Sequence, residues 1–379
     1  MENKSLNQII VYGGGVIGNL TSLCLKKNGF NIYQIKSDIK NSEDRTYALS
    51  PGSIDWMKSI GLRDEFFNSM YPIENIEIIR ENSKASFSAD SVFQPALAYM
   101  VSEKKLMKEI QIKMASENIE MFTEPKEINL DNSSDEVLIK LGKKSLRASL
   151  LLACDGANSK IKEHLNIRKK IKDFNQNAIV FNFDTTKVIG KNAKQYFLKD
   201  SILALLPISP KTISVVWSCN QDFFEKINNM NDLKFITKLK SIIGNDLFEI
   251  TNISKKINFP LKMVLNNKLF DKRVVLMGNA AHSIHPLAGQ GLNLGIRDII
   301  NFEECIKSNN YKDIGLEGFL RRFERSRKID AFEFSSLTSI LQWAFSSKSR
   351  LINQFLVKGI NLLETKDNLK NFLIKKAIS

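Results

Sequence analysis

The chain has 379 residues, of which 43% are hydrophobic and 25% are charged, with a formal net charge of +14. This composition argues against a disordered polypeptide, and no apolar run approaches the ~20 residues that span a bilayer. The four cysteines stand singly, so neither a disulfide framework nor a Cys-x-x-Cys zinc site is indicated. The excess of lysine fits a solvated basic surface, a surface that meets anionic lipid or, less readily, a nucleic-acid site, for which no motif is present.

A strand, a glycine-rich turn, a helix and a second strand open the chain. The apolar run Gln8–Tyr12 leads into a G-x-G-x-x-G turn, and a second apolar run covers Ile32–Ile35. In this fingerprint the first glycine makes the tight turn, the second lets a pyrophosphate approach, and the third allows close packing. The sequence therefore predicts dinucleotide binding at the turn and the start of the helix, by Gly13, Gly15, Val16, Ile17 and Gly18.

The second strand ends at Lys36, where an acidic residue normally accepts hydrogen bonds from the adenosine ribose. Lysine donates but cannot accept, so Asp38 could take that role. Alternatively, Lys36 could favour a 2′-phosphate, which would indicate NADP rather than FAD. Arg45 precedes a predicted helix over Pro51–Ile60, where an arginine could pair with a phosphate.

The middle of the chain predicts a second sheet and a second ligand-binding turn. Short alternating runs between 73 and 100 indicate strands, and a helical pattern covers Ser102–Ser116. The apolar run Leu150–Cys154 then ends at Asp155 and Gly156, before another helix. Ligand contacts in such sheets lie at the carboxyl ends of strands, so both residues are candidates.

Residues 175 to 265 form the most strand-like block, including a run over Phe248–Ile257, and predict a mixed sheet that walls a substrate. The nucleotide-binding pattern resumes at the apolar run Val274–Met277. A loop with Gly278, Pro286, Gly289 and Gly291 follows, and a helix begins near Leu292. After Asp298 the chain is mainly helical. The basic amphipathic segment from 351 to 378 either packs on the protein or lies on a membrane.

Three stretches in this order carry a resemblance: the G-x-G-x-x-G turn, Cys154–Lys162 and Gly278–Asn293. From about residue 8 to about 350 the chain resembles the FAD-dependent aromatic hydroxylases, the class A flavoprotein monooxygenases, and most closely their ubiquinone-biosynthesis group. Asp44–Ser50 and Ala98–Val101 resemble signatures of that group.

The resemblance implies an α/β fold, with a Rossmann-type FAD-binding domain, an inserted mixed β-sheet substrate domain and a helical C-terminus. The implied reaction hydroxylates the aromatic ring of a polyprenylated phenol through a flavin hydroperoxide, with NAD(P)H or another reductant as electron donor. The flavin carries this chemistry, and no catalytic side chain is assigned. His282 and His285 would be loop residues near the flavin rather than metal ligands.

The resemblance also implies roles for the candidate residues. Arg45 would lie near the phosphates, and Asp155 with Gly156 would border FAD and the passing nicotinamide. Asn279, after Gly278, would face the ribityl chain. Backbone N–H groups of the following loop and helix start would hold the isoalloxazine edge, within the stretch Pro286, Gly289, Gln290, Gly291, Leu292 and Asn293.

Three positions depart from the family pattern: Lys36 for an acidic residue, Asn279 for an aspartate and Lys162 for an arginine. They keep two alternatives open, a flavin-poor scaffold subunit of a quinone-biosynthesis complex and another FAD-dependent oxidoreductase. The Trp-x-Trp-x-Ile-Pro stretch of flavin halogenases is missing, which argues against a halogenase as that other FAD-dependent enzyme.

The predicted domains are discontinuous. Residues 1–72, 102–172 and 266–310 are expected to form the FAD-binding domain, 73–101 with 173–265 the substrate domain, and 311–379 a C-terminal helical segment. No signal peptide is recognised, so the protein is expected in the cytoplasm, with peripheral contact at the inner face of the membrane as a further expectation and no nucleic-acid partner.

Overall fold

The computed structural model describes the following parts of the chain: residues 7–37, 44–133, 135–244, 249–283, 291–308, 313–346 and 350–378. Within them a parallel sheet, a larger and mainly antiparallel sheet, and a C-terminal helical layer pack together. The predicted α/β fold class is confirmed.

The strands are, in chain order, β1 (Gln8–Tyr12), β2 (Asn31–Lys36), β3 (Thr46–Leu49), β4 (Tyr71–Ile73), β5 (Asn75–Arg80), β6 (Ser83–Ser88), β7 (Ala98–Ser102), β8 (Glu120–Thr123), β9 (Leu130–Asp131), β10 (Val137–Leu141), β11 (Lys144–Ala148), β12 (Leu150–Ala153), β13 (Lys169–Thr185), β14 (Asn192–Phe197), β15 (Ser201–Ser209), β16 (Thr212–Asn220), β17 (Ile250–Ile253), β18 (Ile257–Asn266), β19 (Phe270–Asp271), β20 (Val274–Leu276) and β21 (His282–Ser283).

The helices are α1 (Val16–Lys27), α2 (Pro51–Ser59), α3 (Asp64–Asn68), α4 (Glu103–Ser116), α5 (Lys160–His164), α6 (Gln221–Asn228), α7 (Asp232–Ile243), α8 (Gly291–Lys307), α9 (Glu317–Ser346), α10 (Arg350–Thr365) and α11 (Asp367–Ile378), with 3-10 turns at Asp90–Val92 and Gly278–Ala280.

A six-stranded sheet has the order β19-β20-β12-β1-β2-β8, and all its neighbours are parallel except β19 and β20. Side chains alternate between two cores: Ile9 and Val11 pack with α1, α4 and α8, whereas Ile10 and Tyr12 pack with β10 and β11. Because both faces are covered, β1 and β12 are continuous apolar runs. The strands come from the three segments expected to form the FAD-binding domain.

Among the described residues, nine strands form the larger sheet, in the order β21-β18-β13-β16-β15-β14-β5-β6, with β17 also paired to β13. Its pairs are antiparallel except β14 with β5. At one edge β21 lies next to the 3-10 turn that follows β20. The larger sheet therefore reaches the same region as the carboxyl end of β20.

The C-terminal helices cover the other edge of the larger sheet. Ile360 of α10 packs with Ala85 of β6, and Ile374 of α11 packs with Val92 after β6. The backbone N–H of Ser86 donates to Glu364 Oε2 at 2.8 Å. Of the two interpretations of this segment, the structure shows packing on the protein, as two helices rather than one.

Two helices in the strand-like block were not predicted. Asn220 and Asn231 cap α6 and α7 with their side-chain oxygens, which accept from backbone N–H groups at 2.9 and 3.0 Å. Phe235 of α7 is buried against Trp217 of the sheet. The predicted run Phe248–Ile257 is also not one strand: β17 and β18 divide it, and Phe248 lies outside the described residues.

Candidate functional site

Three loops leave the six-stranded sheet at the carboxyl ends of β1, β12 and β20. We call them the first corner (residues 13–18), the second corner (154–159) and the third corner (278–280). The three strands are adjacent and parallel, so the corners share one edge of the sheet. The N–H of Cys154 donates to Tyr12 O at 2.7 Å, and that of Met277 to Ala153 O at 2.9 Å. The glycine-bearing corners therefore form one cradle.

The glycines of the first corner differ in whether the fold leaves room for a side chain. Gly13 has φ +133°, and a Cβ atom built there would lie 2.4 Å from the carbonyl oxygen of Cys154. A Cβ on Gly18 would lie 2.1 Å from the carbonyl oxygen of Gly13. Gly15 has ordinary extended backbone, with φ −77°, and a Cβ there meets no atom within 4 Å. The fold itself requires Gly13 and Gly18, whereas Gly15 borders open space.

The start of α1 faces that open space. Val16, Ile17 and Gly18 are its first residues, so their N–H groups have no partner within the helix. No side chain caps the helix and no acidic residue lies in its first turn. The positive end of the helix is therefore free to attract an anion such as a phosphate.

Two side chains that the sequence analysis missed brace the first corner. Gln34 Nε2 of β2 donates to Gly13 O at 3.1 Å and to Asn19 Oδ1 at 2.6 Å. Asn19 Nδ2 donates in turn to Gly14 O at 3.2 Å. Gln34 is fully buried, and a glutamine inside an apolar strand was the available signal, because buried polar groups need partners.

The second corner presents an acceptor to the cradle. Asp155 Oδ2 accepts from the N–H of Ile161 at 3.3 Å, whereas Oδ1 is buried without a hydrogen-bond partner. Burial raises the pKa of Asp155. Gly156 has φ +85° with open space around its Cβ position. Oδ1 is therefore available to accept a hydrogen bond from a ligand hydroxyl or N–H at this corner.

Lys162 joins the second corner to the third. Its Nζ donates to Ala157 O at 3.3 Å and to Ala280 O at 3.4 Å, and its side chain is buried. Burial lowers the pKa of Lys162. The substitution of lysine for the usual arginine thus falls at a position that fastens two parts of the cradle together.

The third corner packs directly on the first. Gly278 has φ +57°, and a Cβ there would lie 3.2 Å from the side chain of Ile17. A Cβ on Gly295 of α8 would lie 2.7 Å from Ile17 Cδ1. Two glycines therefore make the slot that Ile17 fills, and a larger residue at either position would push α1 and the third corner apart.

A buried ion cluster lies behind the third corner. Asp298 Oδ2 accepts from the N–H of Gly278 at 2.8 Å, and Oδ1 lies 2.7 Å from Arg327 Nε of α9. His282 Nε2 lies 3.2 Å from Asp298 Oδ2. Burial alone would raise the pKa of Asp298, but His282 and Arg327 lower it overall. This cluster was not predicted, because its members are distant in sequence.

No group of three or more potential ligands that could hold a metal ion is found in the part of the chain that the structure describes. His282 belongs to the buried ion cluster, and His285 lies outside the described residues. The expectation that these histidines are not a metal pair therefore stays a prediction.

The remaining predicted residues lie at the mouth of the cradle or outside the described chain. Asn279 is exposed on the third corner. Gly291, Leu292 and Asn293 open α8, so their N–H groups lack partners within the helix. Asn293 Oδ1 accepts from Ser50 N and Ser53 Oγ, both at 3.0 Å, which leaves only its backbone for a ligand. Three candidates lie outside the described residues: Pro286, Gly289 and Gln290.

Lys36 and Arg45 are both exposed. Lys36 ends β2 beside the first corner, where a Cβ on Gly14 would lie 2.5 Å from Lys36 Cβ. Arg45 Nε lies 4.0 Å from Glu103 Oε2 at the start of α4, and the N–H of Glu103 donates to Arg45 O at 2.7 Å. Lys36 thus borders the predicted ribose position, whereas Arg45 is anchored to α4.

The cradle fits a dinucleotide that carries a hydroxylated chain between its phosphates and a ring. The first corner offers space and N–H groups for phosphates, and Asp155 Oδ1 offers an acceptor. Residues 7–327 match the sequence profile of the FAD binding domain. The chain belongs to this family of FAD-binding proteins. FAD is the cofactor, and the resemblance inferred from the three motifs is confirmed.

Relatives of this FAD-binding chain include two enzymes matched over nearly its whole length. Ubiquinone hydroxylase UbiL of Rhodospirillum rubrum is 24% identical, over 98% of this chain and 89% of UbiL. The 3-demethoxyubiquinol 3-hydroxylase of Escherichia coli is 25% identical, over 98% of each chain. The crystal structure of p-nitrophenol 4-monooxygenase PnpA from Pseudomonas putida shares the fold, with a TM-score of 0.79 and 18% identity over 98% of this chain and 97% of that one.

Proposed function

We propose that this protein is an FAD-dependent monooxygenase that hydroxylates the aromatic ring of a polyprenylated phenol in ubiquinone biosynthesis. The observation that carries the proposal is the single cradle formed by three glycine-bearing corners, in a chain matched over 98% of its length by two ubiquinone-pathway hydroxylases. Bound FAD, once reduced by NAD(P)H or another reductant, supplies oxygen activation and the transfer of one oxygen atom.

Different residues of the cradle would bind different parts of FAD. The N–H groups of Val16, Ile17 and Gly18 would bind the pyrophosphate, and open space at Gly15 lets it approach the backbone. Asp155 Oδ1 would accept a hydrogen bond from the cofactor or from the nicotinamide that reduces it. The protein would act by orientation and by exclusion of water rather than by a catalytic side chain.

The edge of the flavin ring would be held at the third corner and at α8. Asn279 keeps an acceptor oxygen and is exposed at the mouth of the cradle, where it would bond a ribityl hydroxyl. The first N–H groups of α8, together with Gly289, would face the isoalloxazine ring. Arg45 would have to break its ion pair with Glu103 to reach a phosphate. That ion pair is weak, because it is 4.0 Å long and the arginine side chain is exposed.

We further propose the domain division drawn from the sequence. Residues 1–72, 102–172 and 266–310 would bind FAD, and 73–101 with 173–265 would form the substrate domain. The two sheets support this division, since every strand of the six-stranded sheet comes from the first set of segments, and all strands of the nine-stranded sheet except β21 lie mainly in the second. The exact boundary near 172 is less well matched, because β13 already begins at Lys169. The residues from 311 to 379 would form the C-terminal helical part.

The substrate of this reaction is lipophilic, and we propose that the enzyme meets it at the inner face of a membrane while remaining a peripheral protein. No helix in the described part of the chain is long and apolar enough to cross a bilayer. Transfer of a prenyl chain from water into lipid is favourable by about 0.8 kcal/mol of free energy per CH₂ group. Delivery at a membrane surface would therefore keep the phenol accessible.

Deletion of the gene tests the proposed reaction. The deletion strain should accumulate a polyprenylated phenol that lacks one ring hydroxyl, and the wild-type gene should restore quinone synthesis. The purified protein should also show flavin absorbance, or acquire it when FAD is added. Normal quinone synthesis in the deletion strain would contradict the reaction. Accumulation of the precursor, together with no binding at saturating FAD, would instead favour the flavin-poor scaffold that Lys36 and Asn279 keep open.

A further inference from the structure

The helices α10 and α11 form one layer whose outer side faces away from the protein. Their inner side chains pack on the same part of the larger sheet: Phe87 contacts both the cluster around Ile360 and the cluster around Ile374. Residues two positions away from a buried helical residue lie on nearly the opposite side of that helix. The outer sides of both helices therefore look in the same general direction.

The outer side of this layer combines apolar and basic side chains. On α10, Leu362 is 52% exposed, and on α11, Phe372 is 62% exposed. Exposed lysines accompany them at helical spacing: Lys358 lies four residues before Leu362, and Lys375 three residues after Phe372. Lys366, between the two helices, is also exposed.

Phe93 adds a third apolar side chain at the end of the turn on which α11 packs. Its neighbour Val92 is buried against Ile374, but Phe93 itself is 95% exposed. Phe93 also has φ +57°, a left-handed conformation that is unfavourable for a bulky residue. A large apolar ring that is both strained and exposed gains nothing in the isolated protein, and such outliers indicate a functional surface.

The acidic side chains of the layer do not neutralise this surface. Glu364 Oε2 accepts from the N–H of Ser86, and Asp367 lies 3.2 Å from Lys370 Nζ. Asp367 is nevertheless 83% exposed, but residues 350–378 carry six lysine or arginine residues against these two acidic ones, so the layer keeps an excess of positive charge. Two copies of such a surface would repel one another in a symmetric contact, which argues against self-association through it.

We propose that Phe93, Leu362 and Phe372, together with Lys358, Lys366 and Lys375, form a docking face that binds an anionic lipid bilayer. Apolar side chains on a basic helical layer enter the boundary between headgroups and acyl chains. The lysines add electrostatic attraction to an anionic surface. This face rests on the peripheral membrane contact proposed above and assigns residues to it, but vesicle binding can be measured without the reaction proposed for the cradle.

Sedimentation with vesicles tests the docking face, using the full-length protein loaded with FAD and no substrate. Wild-type protein should bind vesicles that contain phosphatidylglycerol more tightly than vesicles of phosphatidylcholine alone, and high salt should weaken the binding. The double variant Phe93→Ser with Phe372→Ser should reduce the partition coefficient by roughly tenfold or more, from the lost apolar burial. The triple variant Lys358→Gln, Lys366→Gln and Lys375→Gln should lose the preference for anionic vesicles.

Leu233→Ser is the matched control, because Leu233 is 78% exposed but lies on α7, outside the docking face. It should bind vesicles like the wild type. Equal binding of wild type and both docking-face variants would overturn the proposal, as would binding to an acidic protein partner without any binding to anionic vesicles. All variants alter exposed side chains, so retained flavin absorbance should confirm that the cradle is intact. Failure of vesicle binding would leave the gene-deletion result unchanged.

Discussion

Asp298 accepts a hydrogen bond of 2.8 Å from the backbone N–H of Gly278 and holds Arg327 of α9 at 2.7 Å through its other oxygen. One carboxylate thus fixes a glycine with φ +57° at the third corner and the start of the C-terminal helical part. Because Asp298 and Arg327 are each 1% exposed, neither charge can be solvated if the other is removed. The cofactor cradle and α9 are therefore coupled in stability.

Replacement of Arg327 by methionine should lower the free energy of unfolding by about 3–5 kcal/mol, because Asp298 would stay buried with less compensation. Urea unfolding of the protein measures this change. Arg321→Met is the control on the same helix, since Arg321 is largely exposed and pairs with Glu317 on the surface. That variant should lose less than about 1 kcal/mol. Equal losses in the two variants would contradict the role of the buried cluster.

Acid unfolding should depend on Asp298. His282 and Arg327 lower its folded-state pKa, so its contribution to stability is fully present above the unfolded value of about 3.9. That contribution is lost as the pH falls below the unfolded value and through the lowered folded pKa. Asp298→Asn, which cannot ionise, should lose stability less steeply than the wild type from about pH 4 downwards. Parallel stability curves in urea titrations at each pH would refute this assignment.

Gly15→Leu should abolish FAD binding without loss of fold. The backbone of Gly15 is ordinary for any residue and its Cβ position is open, so the new side chain occupies only the space reserved for the pyrophosphate. FAD titration should show at least a hundredfold weaker affinity, about 2.7 kcal/mol or more, with an unchanged melting temperature of the apoprotein. Gly318→Leu, also open but on α9, should bind FAD normally. A yellow Gly15→Leu protein would show that the phosphates lie elsewhere.

Gly18→Ala should damage the fold rather than the ligand site alone. The added methyl group would lie 2.1 Å from the carbonyl oxygen of Gly13, a backbone atom that cannot move aside cheaply. Overpacking of this kind typically costs about 1–3 kcal/mol. Thermal unfolding of the apoprotein, where FAD plays no part, should show a lower melting temperature. An apoprotein as stable as the wild type would mean that α1 and the first corner shift to make room.

Lys36→Glu should tighten FAD binding by about ten- to hundredfold, the effect of a charge-assisted hydrogen bond to a ribose hydroxyl. Lys36 is exposed at the end of β2 beside the first corner, so neither charge is buried by the change. Lys36→Met separates the two contributions, since it removes the positive charge but adds no acceptor, and should have a smaller effect. An affinity for FAD that stays the same or weakens in Lys36→Glu would place the ribose away from this residue.

The parts of the cradle that depend on local sequence pattern could be predicted from the sequence. Each corner follows a short apolar strand and carries glycines, and parallel neighbouring strands bring such corners to one edge. The caps of α6 and α7 were equally local, but the surrounding strand pattern concealed them. Asn220 and Asn231 precede these helices, and the buried positions Phe235, Leu239 and Ile243 of α7 recur every four residues.

The contacts that hold the corners together depend on tertiary placement. Lys162 reaches Ala280, and Arg327 reaches Asp298, across intervals that no local pattern spans. The C-terminal segment shows the same limit in another way. Its amphipathic pattern specifies an apolar side, but either a sheet or a bilayer could cover that side. Only the packing of Ile360 and Ile374 shows that the sheet covers it.

The slot that Ile17 occupies also has a consequence for biosynthesis. It is completed by Gly278 and Gly295, which leave the ribosome long after Ile17 has done so. A nascent chain that ends before α8 has no assembled cradle, however well its N-terminal strands have paired. Flavin loading must therefore wait until α8 has been synthesised, and products truncated before α8 should accumulate colourless.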